Sequence, residues 1–212
     1  MKFVITGGPS VGKTTIVTGL QNIGYKVVHE IATRTIKEGK FLPWVDRQKF
    51  QAEVLRRQLS AEAAILDFDK PVILDRGLFD GEAYYLYDKL PVPNAFGNLD
   101  ASQYAAAFLI EPLTFFEETE VRREDLTFTK EISVILEHCY ESRRVKLYAC
   151  QRCRQLNESS NVMQQIEAIK RRKLHQSNKP HTEQQWHSDR FTPEWPPASI
   201  NPAFIDIASL RC

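Results

Sequence analysis

A chain of 212 residues is long enough for one domain with a sizeable core, or for one domain and a tail. Its 42% hydrophobic and 26% charged residues are ordinary for a globular protein, and a formal net charge of +1 argues against a broad nucleic-acid or membrane surface. No apolar run approaches the roughly 20 residues that span a bilayer, and the apolar part of the opening MKFVITGG is too short for a signal peptide.

The first predicted element is a buried parallel strand over residues 2–6, KFVIT, which ends at glycines. A helix follows over 13–22, with Ile16, Val17 and Leu20 at helical spacing and Gly24 as its stop. Tyr25–His29 is the second strand. Ala32–Glu38 is a short helix closed by Gly39. A long helix begins at Asp46, which caps it, and carries Phe50, Val54, Leu55, Leu59, Ala63 and Leu66 as its apolar face. Val72–Asp75, VILD, is a third buried strand. Residues 79–89 are helical and tyrosine-rich, and a loop with Pro91, Pro93 and Gly97 follows. The fourth strand is 104–110, YAAAFLI. Residues 111–123 lack a clean period and read as a loop. Glu124–Arg143 is helical, 144–149 is the fifth strand, and 160–173 is a last helix.

Strands alternating with helices in this way require a parallel sheet covered on both faces, an α/β fold. The stretch 174–212 differs. It holds five prolines among isolated aromatics and polar runs, and is expected to be a poorly ordered or surface-draped tail to a domain spanning 1–173.

The run Gly7-Gly8-Pro9-Ser10-Val11-Gly12-Lys13-Thr14-Thr15 matches the Walker A pattern, and it lies between a strand and a helix as its mechanism demands. Glycines let the backbone turn so that its N–H groups point inward, and the helix starting near Lys13 aims its positive end at the same place. Such a loop holds the phosphates of a nucleoside triphosphate. Lys13 would reach the β- and γ-phosphates, and Thr14 would offer a hydroxyl to Mg²⁺. The matching acid is Asp75, at the end of the buried strand VILD, which either holds a Mg²⁺-bound water or caps the next turn. Arg76 beside it either grips a phosphate or carboxylate or forms a structural ion pair.

A second substrate would sit beyond the carboxyl ends of the strands. Glu30 lies there. It either accepts a proton from a hydroxyl attacking the γ-phosphate, contacts a ribose, or pairs with Arg34 one turn on. Arg122, next to Arg123, is a candidate for stabilising the transferred group, or belongs to a solvated charge cluster. Trp44, Phe79, Tyr84 and Tyr85 line a pocket or belong to the core.

The stretches FVITGGPSVGKTT, VVHEIATRTI, FQAEVLRRQL, PVILDRG and FLIEPLTFFEETEVRRED, in that order, resemble the NadR-like AAA domain family over residues 2 to about 145, and more weakly to about 173. The family consists of small P-loop proteins related in fold to nucleoside and nucleotide kinases. The resemblance implies a P-loop NTPase, kinase-like fold with a central five-stranded parallel sheet, and binding of a nucleoside triphosphate with Mg²⁺. It places the phosphate loop at Gly7–Thr15, the strand-end acid at Asp75 followed by Arg76, a substrate-contacting carboxylate at Glu30, and the lid region at Arg122. Members of the family differ in activity.

The expected function is therefore a Mg²⁺-dependent transfer of phosphate from ATP to a small-molecule hydroxyl, with Arg34 and Arg76 beside Glu30 on the substrate. The alternative is an ATPase or GTPase type of switch read by a protein partner. No NKxD guanine-reading motif is present, so ATP is preferred while GTP stays open. No membrane or nucleic-acid partner is expected. Four cysteines without a secretion signal indicate a cytoplasmic protein with reduced thiols. Cys150-x-x-Cys153 lacks a second pair for zinc.

Overall fold

The computed structural model describes residues 1–65, 70–111, 120–150 and 158–177, without the side chains of 120–126, 158 and 175–177. Five strands form one sheet: β1 (Lys2–Thr6), β2 (Lys26–Val28), β3 (Val72–Asp75), β4 (Tyr104–Ile110) and β5 (Leu147–Cys150). Among the described residues six α-helices alternate with them: α1 (Lys13–Asn22), α2 (Ile31–Lys37), α3 (Arg47–Ala63), α4 (Leu78–Tyr87), α5 (Glu120–Glu141) and α6 (Glu158–Ser177). The sheet order is β2-β3-β1-β4-β5 and every pairing is parallel.

Both faces of the sheet are buried, which is why its strands read as continuous apolar runs rather than alternating ones. Val4, Leu74, Ala107 and Leu109 point to one face and pack with Phe79, Ile132, Leu136 and Tyr140 of α4 and α5. Phe3, Ile5, Ile73 and Phe108 point to the other and meet Ile16, Val17 and Leu20 of α1 and Val162 and Ile166 of α6. This unit spans Met1–Lys173. Of the expected tail, residues 174–177 continue α6, and the rest lies outside the described residues.

Several boundaries move for identifiable reasons. α5 begins at Glu120, so 120–123 are helical rather than loop. Its other end closes at Arg144, which takes φ 58, while the Val145 N–H donates to the Tyr140 carbonyl. That turn occupies residues expected to open β5, which starts instead at Leu147. In α3, Asp46 caps as expected, its carboxylate accepting from the Lys49 N–H at 2.9 Å. Its buried face is rotated, however. Phe50, Gln51, Leu55, Gln58 and Glu62 are buried, whereas Ala63 is exposed and Leu66 lies outside the described residues. A helix that buries two glutamines and a glutamate serves more than a hydrophobic core.

The polar groups under α3 are largely tied together. Glu62 accepts from Tyr104 at 2.9 Å, from Gln58 at 2.9 Å and from Lys2 at 3.3 Å, and Lys2 also bonds Gln103. Burial nevertheless raises the Glu62 carboxyl above its ordinary value.

Candidate functional site

The phosphate loop links β1, the central strand, to α1. Its backbone takes positive φ at Gly7 (139), Ser10 (59) and Gly12 (93), the geometry that curls N–H groups inward. Gly7 and Gly8 also permit close packing. A Cβ at Gly7 would lie 2.6 Å from the Ile110 carbonyl oxygen, and one at Gly8 would lie 2.5 Å from Thr129 Cγ2. Gly7→Ala should therefore cost about 2 kcal/mol or more, from strain and overpacking together. Urea unfolding checks this; a change below about 0.5 kcal/mol would sink it.

Lys13 is 5% exposed, and its ammonium donates to the Gly8 carbonyl at 2.6 Å. Burial, with Arg76 nearby, lowers its pKa to about 8. Thr14 and Thr15 are exposed at the mouth of the loop. Asp75 sits one strand away, paired in register with Ile5, so β3 delivers it beside the loop. It is 3% exposed, and its Oδ1 has no hydrogen-bond partner among the described residues. Burial and the neighbouring Glu30 raise its pKa to about 6. An orphaned, buried carboxylate oxygen beside a phosphate loop and an exposed threonine hydroxyl fits the hard oxygen set that Mg²⁺ takes.

Arg76 follows Asp75 with φ 72, a left-handed conformation that is strained for a non-glycine residue. The strain is held on both sides. Its N–H donates to Ile5 O at 3.0 Å, and its carbonyl accepts from Gln58 at 3.2 Å. The guanidinium thus reaches back over the loop, giving bonds to Glu30 (2.6 Å), Gly7 O (3.1 Å) and Asp80 (3.3 Å), with the Tyr84 ring 5.2 Å away. Asp80 is an anchor that reading the sequence missed. It also accepts from Thr6 at 2.7 Å, Gly77 N–H at 2.9 Å and Tyr140 at 2.6 Å. Its local signal was a carboxylate three residues into the helix after Gly77.

Glu30 opens α2. One oxygen takes Arg76 and the other takes Thr33 at 2.6 Å. Burial acts to raise its pKa, but Arg76 and Thr33 prevail and hold the carboxyl below its ordinary range. It is therefore ionised at neutral pH. Arg34 is corrected. Its side chain is 76% exposed and pairs with Glu38 at 3.3 Å, because α2 turns Ile31 and Thr35 inward and Arg34 outward. It joins neither Glu30 nor the site. Arg122 lies in the first turn of α5, not in an irregular stretch, and its side chain is outside those described.

Beside the loop lies a cavity of about 210 Å³ between α2, α3 and α4. Glu30, Arg76, Asp80 and Tyr84 form one part of its lining, with Phe50 and Leu55 among the α3 residues. Phe79 and Tyr85 are core, as one of the two readings held, and Trp44 is 70% exposed.

The AAA domain family model matches residues 2–155. The chain belongs to the AAA domain family. No curated protein matches it. The solved structures it is similar to include deoxyadenosine kinase from M. mycoides with products dCMP and a flexible dCDP bound. That likeness has a TM-score of 0.51 at 14% identity and covers 80% of this chain and 100% of that one. The same kinase with dATP bound gives 0.50 at 14%, covering 79% and 99%. Shikimate kinase from Aquifex aeolicus gives 0.45 at 15%, covering 82% and 99%. At such identity the shared feature is the fold, so this AAA domain has the kinase-like P-loop NTPase architecture with a five-stranded parallel sheet. Among the described residues, no helix of the domain is long and apolar enough to cross a membrane.

Proposed function

We propose that this AAA domain is a Mg²⁺-dependent phosphotransferase that moves the γ-phosphate of ATP to the hydroxyl of a small molecule, a nucleoside or related metabolite. The observation that supports it most is the cavity, which shares Pro9, Glu30 and Arg76 with the surroundings of the phosphate loop. A nucleotide switch read by a protein partner has no need of a second small-molecule space there.

The loop N–H groups and Lys13 would bind the phosphates, with Lys13 exchanging its Gly8 carbonyl partner for a phosphate oxygen. Thr14 and Asp75 would hold Mg²⁺, which neutralises charge on the β- and γ-phosphates. Glu30 would accept a hydrogen bond from the acceptor hydroxyl and aim it. Its depressed pKa makes it a weak base, which suits a transfer dominated by positioning and electrostatics. Arg76, which bonds the Gly7 carbonyl of the loop, would meet the transferred group, and Arg122, in the first turn of α5, is the further candidate for that role.

The two shifted groups set the pH range. Asp75 must be ionised to hold Mg²⁺, so Mg²⁺-nucleotide affinity should fall as pH drops below about 6. Lys13 must be charged, so affinity should fall again above about 8. The effect on folding has the opposite sign for Asp75. Its folded pKa lies above the ordinary 3.8, so the stability it contributes is full below that value and lost as pH rises through about 6. Asp75→Asn should accordingly raise the Tm of the nucleotide-free protein at pH 7 by roughly 2–8 °C while removing stabilisation by Mg²⁺-ATP. The gain over wild type should vanish near pH 4. A Tm lowered at pH 7, with Mg²⁺ response intact, would rule out the assignment.

The deciding experiment is incubation with Mg²⁺ and γ-labelled ATP or GTP, with and without a pool of nucleosides and hydroxyl metabolites. Label on a pool member supports the phosphotransferase. Slow phosphate release indifferent to the pool supports the switch instead.

A further inference from the structure

The last turn of α3 buries a carboxylate that the hydrophobic core does not require. Glu62 is 3% exposed and stands apart from the cavity wall. Its ion pair with Lys2 measures 3.3 Å, and two apolar side chains would fill the same space without the cost of desolvating charge. The rest of its bonding goes elsewhere. Oε1 accepts from Gln58 at 2.9 Å, and the two oxygens lie 3.0 and 2.9 Å from the Tyr104 hydroxyl.

Those two donors meet again at one turn. The Gln58 amide nitrogen also donates to the Arg76 carbonyl at 3.2 Å, and the Tyr104 hydroxyl accepts from the Leu78 N–H at 3.1 Å. Arg76 and Leu78 flank Gly77 where the chain leaves β3 for α4. The Arg76 N–H goes to Ile5 O, the Gly77 N–H to Asp80, and the Gly77 carbonyl accepts from the Asp80 N–H. Every backbone polar group from the Arg76 N–H to the Leu78 N–H is therefore bonded, and two of those bonds are made by the partners of Glu62. Packing closes the same turn: a Cβ at Gly77 would lie 2.8 Å from the Tyr140 hydroxyl and 3.1 Å from Val4 Cγ2. A left-handed arginine persists only where its surroundings hold it.

An ionised carboxylate only accepts hydrogen bonds. At Glu62 it makes Gln58 present its NH₂ rather than its oxygen, which is the end that the Arg76 carbonyl needs. It also takes the Tyr104 proton, so that a hydroxyl lone pair faces the Leu78 N–H. Lys2 favours the ionised form against burial.

We propose that Glu62 is a positioning residue for Arg76: by orienting Gln58 and Tyr104 it holds the left-handed turn and keeps the guanidinium between Glu30 and the Gly7 carbonyl. Its effect on catalysis rests on the phosphotransferase reading, whereas its effect on Arg76 does not.

The first measurement is solvent exchange of the Arg76 Nε–H by NMR on the full chain. That hydrogen is donated to Glu30 at 2.6 Å. The main variant combines Lys2→Met with Glu62→Met, which removes both buried charges and leaves neither uncompensated. It should fold, and Arg76 Nε–H exchange should accelerate roughly tenfold or more while the Phe108 amide in the core of β4 keeps its wild-type rate. An ion pair that merely supports the fold would leave Arg76 as in wild type, or speed both hydrogens by the same factor, and either result overturns the proposal. Should the double variant fail to fold, Tyr104→Phe is held to the same two readouts, since it deletes one hydroxyl and keeps the ring against Phe79. The second measurement separates binding from transfer. Affinity for Mg²⁺ and a non-hydrolysable ATP analogue should change less than about threefold, because Lys13, Thr14 and Asp75 are untouched, while label transfer from γ-labelled ATP to the pool of nucleosides and hydroxyl metabolites should fall roughly ten- to hundredfold. Transfer at the wild-type rate overturns the proposal. If wild type labels no pool member and Arg76 is still loosened in the variant, Glu62 stands as the positioning residue and the phosphotransferase falls.

Discussion

Lys13→Ala should lower kcat/KM for γ-phosphate transfer roughly 10²- to 10³-fold, while leaving the nucleotide-free protein no less stable than wild type at pH 7. The two expectations share one cause. The ammonium is buried where water cannot solvate it, and burial with Arg76 nearby brings its pKa to about 8. The folded-state pKa is thus below the ordinary 10.5. The charged form weakens the fold at all pH values below about 8, and that cost fades as pH rises towards 10.5. The Gly8 carbonyl compensates in part, at 2.6 Å. A triphosphate would compensate fully, so the strained charge becomes binding energy for the phosphates as negative charge redistributes during transfer. Paired measurements of Tm and of initial rates decide it. A variant that loses several degrees of Tm at pH 7 would mean that Lys13 chiefly supports the fold.

Arg76→Ala should be the most damaging single change to stability among the site residues, at about 3–5 kcal/mol. Arg76 holds the buried carboxylate of Asp80 and the half-buried carboxylate of Glu30, and closes over the Gly7 carbonyl. Removing it leaves those charges and Asp75 without the guanidinium that offsets them. Asp80 keeps Thr6, Gly77 and Tyr140, so the damage should concentrate at Glu30 and the phosphate loop. Arg76→Lys keeps the charge but loses the planar fork that spans three acceptors, and should recover less than half of the loss. Urea midpoints for wild type and both variants are the measurement. A loss under about 1 kcal/mol for Arg76→Ala would show that water already screens this cluster. Transfer activity should fall with both, since Glu30 loses the partner that aims it.

The binary pattern carried much of the architecture. KFVIT, VILD and YAAAFLI became β1, β3 and β4 because runs buried on both faces have no competing helical period. Asp46 became a cap because capping is a local hydrogen bond. Lys13 and Asp75 stood out as candidates because the strand–loop–helix context limits what Walker A glycines can do. The boundary errors fall where local and long-range demands compete. Residues 120–123 had no clear apolar period, and the start of β5 was overridden by the closing turn of α5.

Arg34 and Gln51 separate local from tertiary information most clearly. Both lie on helices beside the site, and residue type alone favours the arginine as a substrate contact. Helix phase separates the two positions: 100° per residue sends Arg34 into solvent while Gln51 borders the cavity. Asp80, Gln58 and Tyr104 bind partners 18 to 74 residues away, distances over which no periodicity carries information. Sequence patterns specify element types and the phosphate loop because these follow from short-range geometry and repeating burial. The cavity, the left-handed turn at Arg76 and the raised pKa of Asp75 arise from β3 lying beside β1 and from α3 packing against α2 and α4, and so exist only in the folded chain.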